Sequence, residues 1–377
     1  MIPIRFRLSD SEKLEYIDKI IQLFEAIEIV NFSNRIKYLL ILMKKKGFTK
    51  SEYFEMEAEK YKMKYPSQYY FCMWLVLTYE EMDDIKSFIN KKFIEKDLKK
   101  VSAYMTSYKK KEIKNYSDFN DRRGKKYTNS AINIYLNKKI FYDIIYKCFS
   151  NFKDIYTVKF SKENINNWII DKTQVKVCPY CNLAYTYNRG MNTTAQLDHF
   201  FSKAEYPMFS LCFYNLIPSC PACNHIKSDK QNEMISPYKE NAFNNLKISW
   251  EYRCGSGGIK YNNKKSLTNL EKDIKIVLRP SCIGEKNNIE SMNIEDAYDQ
   301  HKDYATEIVK KVRIFSNKDS QKLIIAMGKK VGIKTSEIER FYLGNYVDEK
   351  QLGKRILSKL TSDFYLEYME YIKRNGK

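Results

Sequence analysis

Two closely spaced cysteine pairs are the residues of this chain best suited to chemistry. Cys178 and Cys181 form the first pair, and Cys220 and Cys223 form the second after 38 intervening residues. Two thiolates separated by two residues hold one side of a tetrahedral ion, and a second pair completes the coordination. Because four thiolates leave no open position on the metal, the spacing predicts a closed, structural zinc site.

An aspartate and a histidine lie between the two cysteine pairs. Asp198 is followed directly by His199, and Asn215 comes 16 residues after the histidine. A carboxylate can hold a hard cation, and an imidazole can accept a proton near neutral pH. An isolated Asp-His pair is more typical of a structural histidine than of a catalytic one. Its placement between the cysteine pairs, in a chain with three histidines, instead favours an active site.

The combined pattern resembles the HNH endonuclease family, in those members that have a zinc-binding ββα-metal fold. The resemblance rests on the two cysteine pairs and on Asp198, His199, Asn215, Leu216, Asn224 and Lys227. Asn224 stands at the third signature position, which is the HNN variant of the family. The strict match covers residues 178–227, so most of the chain lies outside it.

The resemblance implies metal-dependent hydrolysis of phosphodiester bonds. His199 would be the general base that takes a proton from the attacking water. Asp198 and the side-chain oxygen of Asn224 would hold one catalytic divalent cation, Mg²⁺ or Mn²⁺. His225 is the alternative ligand if the following helix begins one residue later. Asn224 is the favoured ligand of the two, and the choice stays open here.

The resemblance also implies supporting roles for three polar residues. Asn215 would pin the loop after the first strand and orient His199. Lys203 and Lys227 would contact the phosphate groups of the substrate. DNA is the favoured substrate. RNA or tRNA is the alternative, because phosphodiester chemistry does not distinguish the 2′ position unless a pocket excludes it.

The charge of the chain favours a polyanionic partner. The net charge is +20, from 66 basic and 46 acidic residues, which attracts nucleic acid. Residues 86–147 alone hold 17 basic and 6 acidic residues, interleaved with tyrosines. This composition suits a phosphate backbone and unstacked bases. Coding from an AT-rich genome also enriches lysine, so the charge supports a nucleic-acid partner without establishing it.

Two other classes of protein also use cysteine pairs. A non-catalytic zinc module that binds nucleic acid or a protein needs the cysteines but not Asp198, His199 and Asn224 together. A zinc hydrolase or deaminase needs an open zinc position and a His-x-Glu element. His199 is instead followed by Phe200 and Phe201. The nuclease is therefore the favoured hypothesis.

The C-terminal segments 294–298 and 357–360 are similar to the helical tails of HNH proteins in bacterial antiphage defence operons, such as Septu systems. This similarity implies an antiviral effector whose cutting is controlled by a partner ATPase. It assigns no chemistry to the segments themselves. The sequence predicts no particular oligomeric state.

Hydrophobic periodicity predicts a mostly helical chain. The resemblance to HNH endonucleases implies one small zinc-stabilised ββα-metal unit within it, so the expected fold class is α+β. The predicted regions are a basic helical region, residues 1–155, a nuclease domain, residues 156–258, and a helical C-terminal region, residues 259–377. Within the nuclease domain the first strand would end at His199 and the second would cover residues 216–219. The helix would begin near Cys223. Outside this domain, periodicity predicts helices over residues 35–46, ending at Gly47, over 132–149 and over 294–315, and a final helix over 348–373 with a break near Thr361.

Targeting signals are missing from the sequence as read. The first residues lack the apolar stretch and cleavage site of a signal peptide. The most apolar segment, residues 69–79, is too short to span a bilayer. These features predict a cytoplasmic protein without a membrane partner. Its nine cysteines would then stay reduced, which favours metal binding over disulfides.

Overall fold

The chain folds as two compact units. The computed structural model describes residues 1–93, 165–203, 206–228, 233–252 and 274–375. The helical unit consists of Ser9–Glu163 and Phe201–Asn215, and the mixed unit consists of Met1–Leu8, Asn164–Phe200 and Leu216–Lys377. Across the described residues helices predominate and the strands form small antiparallel pairs, which confirms the α+β class.

Five helices form the described part of the helical unit. They are α1 (Asp10–Ile21), α2 (Ala26–Lys45), α3 (Ser51–Lys62), α4 (Tyr69–Leu75) and α5 (Tyr79–Phe93). Helix α1 begins at a capping box, in which Glu12 N–H donates to Ser9 Oγ and Ser9 N–H donates to the Glu12 carboxylate. Helix α2 ends just before Gly47, whose φ of +90° favours glycine. The predicted helix end at Gly47 is confirmed.

The segment Phe201–Asn215 belongs to the helical unit although it is distant in sequence from α1–α5. The Tyr16 hydroxyl donates to the Leu211 carbonyl at 2.8 Å, and the Trp74 indole N–H donates to the Met208 carbonyl at 2.8 Å. Both aromatic side chains are fully buried, so these bonds satisfy polar atoms that water cannot reach. The segment is thereby fixed to α1 and α4.

The mixed unit combines six short strands with helices of varied length. Its described strands are β1 (Asn188–Arg189), β2 (Asn192–Thr193), β3 (Gln196–His199), β4 (Leu216–Ser219), β5 (Lys247–Tyr252) and β6 (Ile274–Arg279). Its described helices are α6 (Ile165–Thr173), α7 (Pro221–Lys227), α8 (Ile283–Ser291), α9 (Ile294–Asp299), α10 (Lys302–Phe315), α11 (Lys318–Lys330), α12 (Thr335–Leu343) and α13 (Ser358–Asn375). The strands pair antiparallel as β1 with β2, β3 with β4, and β5 with β6.

The pairing of β5 with β6 divides the chain differently from the sequence prediction. The predicted boundary between residues 258 and 259 falls between these two strands, which pair over their full length. Helix α13 also packs on β5, since Trp250 contacts Phe364 with ring centroids 4.6 Å apart. In addition, Ile248 N–H donates to the Asp363 carboxylate at 2.8 Å. Residues on both sides of the predicted boundary therefore belong to one unit.

Two predicted helices are interrupted at positions that the sequence did not predict. The helix predicted over residues 294–315 is two helices, α9 and α10, because His301 N–H bonds to Tyr298 O in a tight turn. The final helix, predicted from residue 348 with a break near Thr361, is instead a 3-10 turn, Glu349–Lys354, followed by α13. The break falls at Leu357, whose φ is +58° and whose N–H bonds outside the helix to Asn182 O.

Some sequence predictions fall on residues that the structure does not describe. The helix predicted over residues 132–149 and most of the basic stretch 86–147 lie outside the described residues. No helix within the described ranges is both long enough and apolar enough to cross a membrane.

Candidate functional site

The four paired cysteines come together in the mixed unit. The sulfur atoms of Cys178, Cys181, Cys220 and Cys223 all lie within 4.8 Å of one another, and all four residues are buried. A tetrahedral zinc ion with Zn–S distances of about 2.3 Å separates its sulfur ligands by about 3.8 Å. The distance of 3.9 Å between the Cys181 and Cys220 sulfurs agrees with that geometry. The donor set therefore fits a closed zinc site.

Local backbone geometry presents the sulfurs to one point. In the first pair, Asn182 has a φ of +57° and its N–H bonds to Cys178 O, which closes a tight turn. In the second pair, Cys220 caps the N-terminus of α7, and Cys223 N–H points at its sulfur. Burial raises the pKa of the Cys178 thiol well above its usual value. A bound cation would favour the thiolate form that this burial opposes.

The first cysteine turn is held by residues far along the chain. The Tyr298 hydroxyl donates to Cys181 O at 2.7 Å. The Asn182 side chain donates to Leu352 O at 3.3 Å and accepts from Lys359 N–H at 2.9 Å. The cluster is thus embedded in the C-terminal helices of the mixed unit. It does not stand as a separate small domain.

Strands β3 and β4 and helix α7 form a compact strand–strand–helix arrangement beside the cysteines. His199 pairs with Leu216, and Gln196 pairs with Ser219 at the other end. Strand β3 ends at His199 and strand β4 covers Leu216–Ser219, as the sequence predicts. Helix α7 begins at Pro221 immediately after β4, two residues earlier than predicted, because Cys220 serves as its N-cap.

Asp198 lies at the centre of a buried polar network. The ammonium of Lys227 lies 3.1 Å from both Asp198 oxygens, and the Tyr180 hydroxyl donates to Asp198 Oδ2 at 2.6 Å. Lys227 also donates to the backbone carbonyl of His199 at 3.0 Å. Burial, followed by the charge of Asp198, raises the pKa of Tyr180 well above its usual value. The tyrosine is therefore a neutral donor to a carboxylate.

Asn224 faces strand β3 on the same side of α7 as Lys227. Residues three apart share one face of a helix, and residues two apart share one face of a strand. Asn224 accordingly donates its side-chain N–H to Gln196 Oε1 at 2.7 Å, while Lys227 reaches Asp198. Its amide oxygen is the remaining acceptor of that side chain. The neighbouring His225 is exposed.

His199 is buried near the end of β3. Strand alternation places its side chain on the face opposite to that of Asp198. Its backbone is fixed twice, by the pairing with Leu216 and by the Lys227 ammonium. The histidine thus has a well-defined backbone position, which a general base requires.

Asn215 holds the segment between β3 and β4 within the helical unit. Its side-chain oxygen accepts from Phe201 N–H at 2.7 Å, and its amide group donates to the carbonyls of Phe201 and Phe209 at 3.1 and 3.0 Å. The side chain is fully buried, so all three bonds replace contacts with water. Lys203, the other predicted residue of this segment, is half-buried in a turn.

Asp198 and Lys227 do not fit the roles expected of them, a cation ligand and a phosphate contact, in the arrangement described. Both oxygens of Asp198 already accept hydrogen bonds from cationic or hydroxyl donors. A divalent cation bound to Asp198 would also lie close to the Lys227 ammonium, and like charges repel strongly at such distances. Lys227 itself is only 3% exposed, so it does not present its charge to a substrate phosphate at the surface.

Two residues of the network were not found from the sequence. Tyr180 lies inside the first cysteine pair, where the spacing draws attention to its neighbours rather than to the tyrosine. Gln196 lies two residues before Asp198, so the two-residue period of a strand could have placed it on the Asp198 face. No comparable pattern points to Tyr180, since its contact depends on how the turn packs against β3.

Comparison with known proteins assigns no role to the residues of this site. No protein-family model matches the chain, and neither a curated protein nor a solved structure does. The roles of Asp198, His199 and Asn224 therefore rest on residue types, spacing and the contacts above. The resemblance to HNH endonucleases stays a prediction.

Proposed function

We propose that the chain is a nuclease of the HNH type, which hydrolyses phosphodiester bonds at the site formed by β3, β4 and α7. The observation that carries the proposal is the buried His199 at the end of β3, directly after Asp198 in the sequence, with its backbone carbonyl bonded to Lys227. The first cysteine pair precedes β3, and the second lies at the start of α7, so the four-cysteine cluster is part of the same region of the chain. A site of this composition has the general base and the rigid support that hydrolysis needs.

In the proposed reaction His199 accepts a proton from a water molecule whose oxygen attacks the phosphorus. The bond from phosphorus to the leaving oxygen then breaks, and that oxygen takes a proton from solvent. The Lys227 ammonium fixes the backbone of the base through the His199 carbonyl. A zinc ion held by the four cysteines would take no part in these steps, because four thiolates would leave it no open position for water or substrate.

The proposed substrate is nucleic acid, with DNA favoured and RNA as the alternative. The net charge of +20 would draw either polymer to the protein and make binding weaker at high salt. The divalent cation predicted at Asp198 and Asn224 remains part of the proposal. It is tested separately, because Lys227 already neutralises the Asp198 carboxylate.

A non-catalytic zinc module that binds nucleic acid is the second candidate. The buried pair of Asp198 and Lys227 favours it, because a carboxylate paired with lysine can serve structure alone. This candidate gives His199 no chemical role. The two functions therefore differ in what removal of the imidazole does.

The deciding experiment compares His199→Ala with His301→Ala, a second histidine outside the site. Supercoiled plasmid, linear duplex, single-stranded DNA and RNA are incubated with each zinc-loaded protein and Mg²⁺ or Mn²⁺. We expect the wild type and His301→Ala to cut, and His199→Ala to bind without cutting. The incubations are long, because cutting would be slow without the partner ATPase that the similarity to antiphage HNH proteins implies.

Each other outcome has a definite meaning. Cutting that survives in His199→Ala would refute the assigned base. Nucleic-acid binding without cutting by the wild type would favour the non-catalytic module. The pattern of substrates that are cut would separate DNA from RNA.

A further inference from the structure

The Asp198–Lys227 pair is unusual because both charged groups are removed from water. Their side chains are 6% and 3% exposed, and the ammonium lies 3.1 Å from each carboxylate oxygen. Charged side chains are almost never buried to this extent unless they are paired. Each charged group therefore has the other as its close counter-charge in the interior.

The remaining bonds of the network fix the ammonium in place. Lys227 donates to the His199 carbonyl at 3.0 Å, and Tyr180 occupies Asp198 Oδ2 at 2.6 Å. The lysine extends from the last turn of α7 and reaches β3 across the face that also carries Asn224. The ammonium thus occupies the position where a cation bound to Asp198 would lie.

We infer that Lys227 is the resident counter-cation of Asp198, and that a divalent cation reaches this carboxylate only by displacing the lysine. Two cations a few ångströms apart in a poorly solvated site repel each other strongly, so a divalent cation and the Lys227 ammonium compete for the same carboxylate. The inference rests on the proposed function in one respect, the choice of Asp198 as the metal ligand. It adds that the Lys227 ammonium, on α7, controls the access of a divalent cation to the Asp198 carboxylate.

The first test measures Mn²⁺ binding directly, by electron paramagnetic resonance, on the full-length protein with zinc retained at the cysteines. Lys227→Met removes the ammonium with little change in volume. Lys239→Met removes the same charge from an exposed position and serves as the control. We expect Lys227→Met to bind Mn²⁺ at least about tenfold more tightly than wild type, because one close positive charge is gone. Lys239→Met should match wild type.

Adding Asp198→Asn to Lys227→Met should abolish this gain. Equal affinity in Lys227→Met and wild type would overturn the inference, as would a gain that survives in the double variant. Mn²⁺ binding to none of these proteins would overturn it as well. Because the readout is metal binding, each of these results is independent of whether His199 supports cleavage.

A second measurement uses only the wild type, in case the single variant does not fold with an unpaired Asp198. Lysine reactivity is followed by reductive methylation and mass spectrometry, with and without Mn²⁺. We expect Lys227 to be protected in the absence of Mn²⁺ and to become reactive at least about tenfold faster when Mn²⁺ saturates the carboxylate. A Lys227 amine that stays protected at saturating Mn²⁺, or reacts as fast as Lys239 without it, would overturn the inference.

Discussion

Replacing Tyr180 with phenylalanine tests the central hydrogen bond of the site. The change deletes one buried hydroxyl, which donates to Asp198 Oδ2 at 2.6 Å. Tyr298 provides a matched comparison, because it is equally buried and its hydroxyl donates to Cys181 O at 2.7 Å. The two tyrosines differ in the acceptor: one is a carboxylate and the other is a neutral carbonyl.

The difference in acceptor sets the expected magnitudes. A hydrogen bond to a charged group contributes about 1.5–3 kcal/mol to stability, whereas a neutral bond contributes about 1 kcal/mol. Tyr180→Phe should therefore lower the free energy of unfolding by about 2 kcal/mol and Tyr298→Phe by about 1 kcal/mol. Neither change creates a cavity larger than one oxygen atom, so the packing cost is similar in both.

The assay is urea unfolding of zinc-saturated protein, followed by tryptophan fluorescence. Trp168 and Trp250 report on the mixed unit, which contains both tyrosines. Repeating Tyr180→Phe in an Asp198→Asn background completes a double-mutant cycle. We expect the cost of losing the Tyr180 hydroxyl to fall to about 1 kcal/mol there, because the acceptor is then neutral.

One result would refute this reasoning. If Tyr180→Phe and Tyr298→Phe cost the same, and the cycle shows no coupling between Tyr180 and Asp198, the tyrosine does not donate to a charged carboxylate. The buried network would then lack the charge on which the inference about Lys227 depends.

Two further predictions concern the supports of the site. Cys220→Ser should release the zinc, measured by metal analysis of the purified protein, and increase hydrogen exchange in β3 and β4. Structural zinc contributes on the order of 10 kcal/mol in small sites, and a variant that keeps one zinc per chain would contradict the four-cysteine site. Asn215→Ala should lower the free energy of unfolding by about 3 kcal/mol, because three buried hydrogen bonds are lost. A free energy of unfolding that is unchanged in Asn215→Ala would show that water replaces the three lost hydrogen bonds.

The strand–strand–helix arrangement could be predicted from the sequence because the cysteine spacing constrains it. Four thiolates that share one ion must meet, so the chain between Cys181 and Cys220 has to go out and return. Antiparallel strands are the simplest way to do so. The resemblance to HNH endonucleases then implies that β3 ends at His199 and that β4 follows Asn215. The start of α7 follows from Cys220 and Pro221, a cap residue and a proline at the first helical position.

The surroundings of the cysteine cluster could not be predicted because they depend on contacts between distant residues. Tyr298 and Cys181 are 117 positions apart, and their hydrogen bond follows from the packing of α9. Asn182 likewise bonds to the segment before α13. The periodicity of hydrophobic residues reflects local structure and does not predict such contacts. The domain boundary predicted after residue 258 therefore separated residues that belong to one unit.

Lys227 illustrates how correct spacing can yield an incomplete interpretation. Its position three residues after Asn224 places the two side chains on one face of α7, and both bond to residues of β3 in the structure. Spacing predicts the face of the helix on which a side chain lies, but not how far it is buried. A lysine can bury its ammonium when the ammonium is paired with a carboxylate. The sequence predicted a surface contact to phosphate, whereas the structure has a buried ion pair.

The buried pair bears on the choice between a nuclease and a binding module. A buried ion pair adds little net stability over apolar residues of similar volume, because desolvation offsets the attraction. Stability alone therefore does not explain why Asp198 and Lys227 occupy this interior. If Asp198 holds a divalent cation, as the proposed nuclease requires, the Lys227 ammonium must exchange with that cation. If the chain is a zinc module that only binds nucleic acid, the ion pair stays intact. Binding of Mn²⁺ at Asp198 therefore distinguishes the two functions.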